Sequence, residues 1–331
     1  MLRLNNKRSG IVSSVIVSIL LVTMTFLVVN NRQRILDQIA VWQFQSSSEV
    51  INLVDRSGMN DNGKFYYFAS RPKLDATQEF NIACDRIEKT TSILGCYDGY
   101  NIYIYDVQDK QLDGIKEVTA THEALHAIYS RLNDSEIDKL NTLLELEYKK
   151  LEKNKEFAET VAFYERTEPG QRNNELHSMI GTEVSIIGSE LELYYSKYFS
   201  NRQKVVDLYK KYNNVFESQN SRAVKLEGQI NSLSSSVQKK INQYNIDTDV
   251  LNNDILNFNS TATSGQITAA QFNYEHNLLV NRLNILVEIR NNINNDLVKI
   301  NQLIIEHNKI ETESKKLYNS IDSSLVPAPS L

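Results

Sequence analysis

Val118-Thr-Ala-Thr-His122-Glu123-Ala-Leu-His126-Ala-Ile128 is the stretch on which every other reading of the chain depends. It is predicted to form one helix. Residues four apart on a helix lie one above the other, so His122 and His126 can each turn an imidazole nitrogen toward a single ion, which makes half of a zinc site. Glu123 falls on the edge of that face. From there its carboxylate reaches a water beside the ion without ligating it, as a general base must. Thr119, Ala120, Ala124, Leu125, Ala127 and Ile128 are all uncharged, the pattern of a helix buried beneath a cleft. A surface helix with two incidental histidines would carry charges at those positions.

Two histidines do not hold a catalytic zinc; a third protein ligand is needed, with the fourth position left to water. The chain has five histidines, and His276 and His307 lie far downstream in long helical segments. The candidates nearby fall within Asn173-Asn174-Glu175-Leu176-His177-Ser178-Met179-Ile180-Gly181-Thr182-Glu183. The His-Glu-x-x-His run with its uncharged flanks resembles the extended motif of zincin metallopeptidases. Asn174-Glu175 followed by Ser178 resembles the Asn-Glu-x-x-Ser segment of the thermolysin-like gluzincins, where the glutamate is the third ligand. The resemblance implies a site of His122, His126 and Glu175 holding one Zn2+ per chain, and peptide-bond hydrolysis by zinc-activated water with Glu123 as base. The chain departs from the pattern at Met179, where those enzymes usually carry aspartate. Glu175 also lies 49 residues beyond His126, further than in thermolysin-like enzymes.

Glu183, a little over two helical turns after Glu175, shares approximately its face and is the alternative ligand, or an acceptor behind a zinc-bound histidine. His177 points elsewhere on the helix, as a structural histidine or an oxyanion partner. Tyr194 and Tyr195 continue in helical register, and a tyrosine hydroxyl over the metal would suit a developing negative charge. With 17 tyrosines in the chain, packing is the commoner role for any one of them.

Working outward toward the N-terminus, Ser9 to Asn31 contains no charge, and Ile11 to Val29 has the length a helix needs to span about 30 Å of hydrocarbon. Residues 11–29 are therefore expected to be a transmembrane helix after a cytoplasmic segment, residues 1–10. The run is long for the apolar core of a signal peptide, and Thr25 to Asn31 offers no small-x-small cleavage site. Arg3, Lys7 and Arg8 precede the span and Arg32 and Arg34 follow it, a bias toward a cytoplasmic N-terminus and an extracytoplasmic domain. Cys84 and Cys96, an even pair twelve apart, read as a disulfide in such a domain; two reduced core thiols are the alternative. Net charge is −5 with no basic block beyond the N-terminus, so nothing points to nucleic acid.

Residues 30–47 are expected to be a juxtamembrane helix with Ile35, Leu36, Ile39 and Trp42 as its apolar positions, and residues 48–200 a zincin-like domain. Within that domain Ser46-Ser-Ser48 caps a helix from Glu49 to Arg56. Gly58 to Gly63 is turn chemistry, and Lys64-Phe-Tyr-Tyr-Phe68 reads as a strand from its aromatic content. Thr77 to Lys89 reads as a helix. Ser92 to Tyr97 and Asn101 to Val107 form a hairpin about Asp98-Gly99, with Ile102 and Ile104 on one face and Tyr103 and Tyr105 on the other. By resemblance to the zincins, an edge strand of this small sheet accepts an extended peptide substrate. Ser135 to about Phe157 reads as one helix, and the next begins near Asn173.

Residues 201–325 change character. From Ser189 to Leu325 there are two glycines and no proline, so this part is expected to be almost wholly helical. Leu279, Leu283, Leu286, Ile293, Leu297, Ile300 and Ile304 keep a heptad rhythm, and Leu226, Ile230, Leu233, Val237 and Ile241 step similarly. Two long helices in an antiparallel coiled-coil hairpin are expected, with Ile246 to Phe258 as a short intervening piece and Asn259 to Gly265 as the linker. Pairing with a coiled-coil partner or a second copy is the competing arrangement. Residues 326–331 are expected to be a disordered tail.

The expected fold class is α+β, predominantly α: an N-terminal transmembrane helix, a small zincin-like domain with a short sheet, and the hairpin. The expected function is a bilayer-anchored zinc metallopeptidase acting on a peptide or protein substrate. Two other readings stand beside it: an envelope interaction protein with a non-catalytic zinc site, and a zinc hydrolase of cell-wall peptide amides.

Overall fold

Residues 5–84 and 93–324 are described by the computed structural model, in two units, Met1–Val215 with Tyr318–Leu331 and Phe216–Leu317. The chain is mostly helical with one small sheet. The expected tail, residues 326–331, lies outside the described residues, as does part of the helix expected over Thr77 to Lys89.

The first unit opens with helix α1 (Asn5–Asn30), in which every side chain from Ser14 to Asn30 is exposed. Helix α2 (Arg32–Gln43) follows at an angle of 71°. Among the described residues no single helix is long and apolar enough to cross a membrane; Ser14–Asn30 and Arg32–Gln43 meet that measure only as a bent pair. Helix α3 (Ser48–Arg56) starts where expected, its first turn capped by Ser47, whose hydroxyl accepts from the Val50 amide.

Lys64 to Phe68, expected as a strand, is the core of helix α4 (Asp61–Ala69). The reason is local and tertiary at once. Asn60 accepts from the amides of Asn62 and Gly63 and so starts a helix, and Asp61 adds a favourable charge to its first turn. The aromatics then pack around the cylinder instead of alternating: Tyr67 is fully buried, Phe68 meets Phe44, and Tyr66 meets Tyr198. Tertiary packing overrides the strand preference of an aromatic run.

Strand β1 (Lys73–Asp75), helix α5 (Thr77–Ala83), and strands β2 (Gly95–Tyr97) and β3 (Ile102–Tyr105) come next. β2 and β3 pair antiparallel as the expected hairpin, and β1, not legible in the sequence, pairs parallel to β3 on its other side. The sheet order is β1-β3-β2, so β2 is an edge strand. Ile102 and Ile104 are completely buried against helix α6 (Ile115–Tyr129), and Tyr103 and Tyr105 take the other face, as the alternation predicts, half-buried and with Tyr105 against Phe80 of α5. Cys84 and Cys96 form the disulfide, which ties the end of α5 to β2.

Beyond α6 lie α7 (Asp134–Leu151), α8 (Lys155–Thr167), α9 (Arg172–Glu183) and α10 (Ser189–Tyr195). The single helix expected from Ser135 to Phe157 is two, because Asn154 turns the chain and caps α8 by accepting from Glu156 and Phe157. α11 (Gln203–Thr263) starts in this unit, and α12 (Ala269–Ile321) ends in it.

In the second unit α11 and α12 run antiparallel as a hairpin. Lys240 reaches Asp296 at 2.7 Å and Arg282 reaches Asp254 at 2.5 Å, a register in which the two helices pass in opposite directions. Val237, Ile293 and Ile300 are the buried seam, with Leu233, Ile241, Tyr244 and Ile289 against them. Ile246 to Phe258 is no separate piece, since nothing between Gly228 and Gly265 breaks the backbone and α11 runs through it. The turn falls at Gly265, with φ +70°.

One buried ion pair links the N-terminal helices to the core. Asp37, on the inner face of α2, accepts from Arg131 at 2.9 and 3.0 Å, and Arg131 also donates to the Ala127 carbonyl and the Tyr97 hydroxyl. Both side chains are more than nine-tenths buried. Asp37→Ala leaves the guanidinium without its counter-charge and is expected to lower unfolding stability by about 3 kcal/mol, read from the urea midpoint by circular dichroism. An unchanged midpoint would show that the pair contributes nothing net.

Candidate metal centre

The site rests on two helices whose sequences explain their contact. α6 is buried along nearly its whole length, with Ala120, Ala124, Leu125 and Ala127 completely inaccessible. α9 is buried from Glu175 to Thr182 and lies directly against it. Gly181 makes the approach feasible: a Cβ there would come within 2.5 Å of the Leu125 side chain and 2.9 Å of the Tyr195 ring.

This contact brings Glu175 to the two histidines. Nε2 of His122 lies 3.6 Å from one carboxylate oxygen, and Nε2 of His126 lies 3.4 Å from the other. One donor atom from each residue fits within a sphere of contacts no longer than 4.8 Å, and among the described residues this is the group of His, Cys, Asp or Glu side chains that could hold a metal ion. Two imidazole nitrogens and one carboxylate are the donor set of an open zinc site.

Two features of the surroundings fit a cation there. Glu175 Oε2 is buried and accepts no hydrogen bond, an arrangement that is costly for a carboxylate unless a positive charge faces it. His126 is oriented from behind: its Nδ1 lies 2.9 Å from the Asn174 side-chain oxygen and 3.3 Å from the Ser178 hydroxyl. The amide oxygen only accepts, so Nδ1 carries the proton and Nε2 presents its lone pair. Asn174 is itself fixed by donating to Gln171 Oε1 at 3.1 Å. Asn174 and Ser178 flank Glu175 in the segment noted in the sequence, and both serve the same imidazole.

Glu123 projects from α6 toward the edge strand. Gly95 of β2 has no side chain, and a Cβ there would lie 2.7 Å from both Glu123 Oε1 and Thr119 Cγ2. The carboxylate thus lies against strand backbone. Burial pushes its pKa up to about 8, opposed by the charge of His126 and reinforced by Glu175 and Glu168. Burial also acts to raise Glu175, but His126 and His122 outweigh it and hold this carboxyl below the usual range.

The remaining candidates sit elsewhere. Glu183 is outside the three-donor group; its carboxylate accepts from the Tyr209 hydroxyl and feels the charge of His122, while burial pushes its pKa up to about 7. His177 is enclosed by Tyr129, Tyr194 and Tyr195 at centroid distances of 5.7, 5.5 and 5.5 Å, the last stacked within 9° of parallel. Burial pushes its pKa down to about 3, so the ring is neutral. Tyr195 donates to the His177 carbonyl at 2.6 Å, and with Tyr194 it packs on this ring. His276 stacks on Phe272 in the hairpin.

Tyr164 and Glu168, from α8 and the turn after it, were missed by sequence reasoning. Both lie within electrostatic reach of Glu175; burial raises both pKa values, and Glu175 adds to each. No spacing signal marks them, because they arrive at the site through the path of α8. No family model, curated protein or solved structure matches the chain.

Elemental analysis of the purified chain after zinc loading and dialysis is expected to give one zinc in the wild type and in Glu183→Ala, and none in His126→Ala or Glu175→Ala. Asn174→Ala, which frees the His126 ring, should weaken zinc binding at least tenfold in a competitive chelator titration. Loss of zinc in Glu183→Ala with retention in Glu175→Ala would reassign the third ligand.

Proposed function

We propose that this chain is a membrane-anchored zinc metallopeptidase. The observation that carries the proposal is the convergence of His122 Nε2, His126 Nε2 and the Glu175 carboxylate beside a buried Glu123. His122, His126 and Glu175 would hold the ion. Zinc, when bound, supplies a Lewis acid that brings the pKa of a water toward about 7 and polarises a peptide carbonyl.

The protein's own groups do the rest. Glu123 takes a proton from the attacking water and delivers it to the departing amine, so one carboxylate serves as base and then as acid. Its buried position strengthens its hold on that proton between the two transfers, and a cation nearby moderates it. Asn174 and Ser178 keep the His126 ring in one orientation throughout. β2, an edge strand whose half-buried Gly95 lies directly beside Glu123, is suited to add an extended substrate by main-chain hydrogen bonds.

Three features support the anchor and its direction. The apolar side chains of α1 from Val15 to Val29 are all more than half exposed, so the first unit leaves them for another apolar phase. The uncharged run begins earlier, at Ser9, within the same 26-residue helix. The Cys84–Cys96 disulfide fits a domain outside the cytoplasm.

Glu123→Gln is expected to lower hydrolysis of a peptide library by roughly a thousandfold while zinc content stays at the wild-type level. Assaying isolated cell-wall peptides in parallel separates a protease from a wall amidase. Hydrolysis by the variant at the wild-type rate would remove the proposed mechanism. Gly95→Ala, which drives a methyl group into Thr119 and Glu123, should reduce turnover with zinc retained.

A further inference from the structure

We propose that α2 is an interfacial helix whose Ile35, Leu36, Ile39 and Trp42 rest in the lipid headgroup layer, so that the membrane surface orients the helix that carries the metal site. The inference rests on the reading of α1 as a membrane anchor and goes beyond it, since an anchor alone leaves the domain free to turn.

The two faces of α2 have opposite character. Asp37 and Ala40 point inward and are only 3 and 4% exposed. On the opposite face Ile35, Ile39 and Trp42 recur at four- and three-residue steps of a helical stripe, with exposures of 39, 39 and 77%, and Leu36, 48% exposed, flanks it. No charge interrupts that stripe between its ends, where Arg32 and Gln43 lie. Arg34 belongs to the other side: it stacks on Phe65 at 5.1 Å and reaches the Tyr66 hydroxyl. An amphipathic helix with an uninterrupted apolar face, a tryptophan and a basic residue at the start of that face is suited to the boundary between headgroups and acyl chains.

Continuity with α1 selects lipid as the occupant. The exposed apolar segment Ser14–Asn30 runs into α2 with only Asn31 between them, and the 71° bend there turns α2 away from the direction of the first helix. With α1 across a bilayer, α2 lies nearer to the membrane plane than to its normal. Its outer stripe then meets the headgroup layer.

The inner face transmits this orientation. Asp37 holds Arg131, the second residue after α6, and Arg131 also donates to Ala127 within α6. The helix bearing His122 and His126 is therefore fixed to the element that lies on the lipid. Substrates reaching the site would be polypeptide segments close to the membrane surface.

Trp42 is the only tryptophan in the chain, so the intact protein reports on this face without labelling. The full chain is reconstituted into vesicles carrying a bromine or nitroxide quencher either near the headgroups or near the ends of the acyl chains, and flotation is measured on the same samples. The expected result is co-flotation, with Trp42 emission quenched at least twice as strongly by the shallow quencher as by the deep one and shielded from aqueous acrylamide. The double substitution Leu36→Glu with Ile39→Glu should leave flotation unchanged and halve the shallow quenching or more. Floating protein whose Trp42 is open to acrylamide, or shielded from acrylamide and from both lipid quenchers, overturns the inference in favour of water or of a protein partner. Deeper quenching that exceeds shallow quenching overturns it in favour of a continued span. Protein that does not float removes the anchor itself, and the inference with it.

Discussion

The contact between α6 and α9 is the constraint from which the site follows. Each helix contributes an incomplete set of donors: α6 has two imidazoles and a carboxylate beside them, and α9 has one carboxylate with an amide and a hydroxyl on either side. Close approach at Gly181 and Leu125 sets the separation at which Glu175 faces both Nε2 atoms. A burial this complete would be unfavourable for so many polar groups in isolation. Several of them are satisfied within the pair of helices, and among the buried atoms that lack a hydrogen-bond partner Glu175 Oε2 is the one that faces an imidazole of the site, 3.6 Å from His122 Nε2.

Around that pair the fold supplies supports. The sheet lies against α6 through Ile102 and Ile104 and brings the backbone of Gly95 beside Glu123. The disulfide holds β2 to α5, and the pair of Asp37 and Arg131 holds α2 to the end of α6. Arg202 closes the far end of α9, donating to the carbonyls of Ile180, Val184 and Ser185 and pairing with Glu192. The disulfide at the end of α5 and on the edge strand β2, Arg131 just past α6 and Arg202 at the end of α9 act at a helix terminus or a strand edge. These are the places where backbone groups lack partners and where a side chain can fix the direction of an element.

His177 shows how burial sorts residues of one type. It lies two positions from Glu175, yet the helical turn carries it to the opposite side, among Tyr129, Tyr194 and Tyr195. Its neutral ring fills a core position there. His122 and His126, four apart on one face, share a site instead. The difference is helical phase, which is also why the tyrosines nearest in sequence pack beneath the site while Tyr164, from another helix, comes within reach of Glu175 and Glu123.

The sequence by itself determined the elements whose signal is local and periodic. The helix about His122, the aliphatic and tyrosine faces of the strand at Ile102 and the two long helices were all legible, because a period of 3.6 or 2, or a lack of glycine and proline, is written in consecutive residues. The helix at Lys64 to Phe68 was not, since Asn60 as a cap and the burial of Tyr67 outweighed aromatic preference. Strand β1 was not, because a three-residue strand exists only through its parallel neighbour. The same division runs through the site. Spacing alone paired His122 with His126, but the sequence left Glu175 and Glu183 both open, because they are two turns apart on one helix face. Only the packing of α9 on α6 decided which carboxylate lies between the imidazoles, since that depends on where along α9 the two helices meet, and helical periodicity fixes a face without fixing a height.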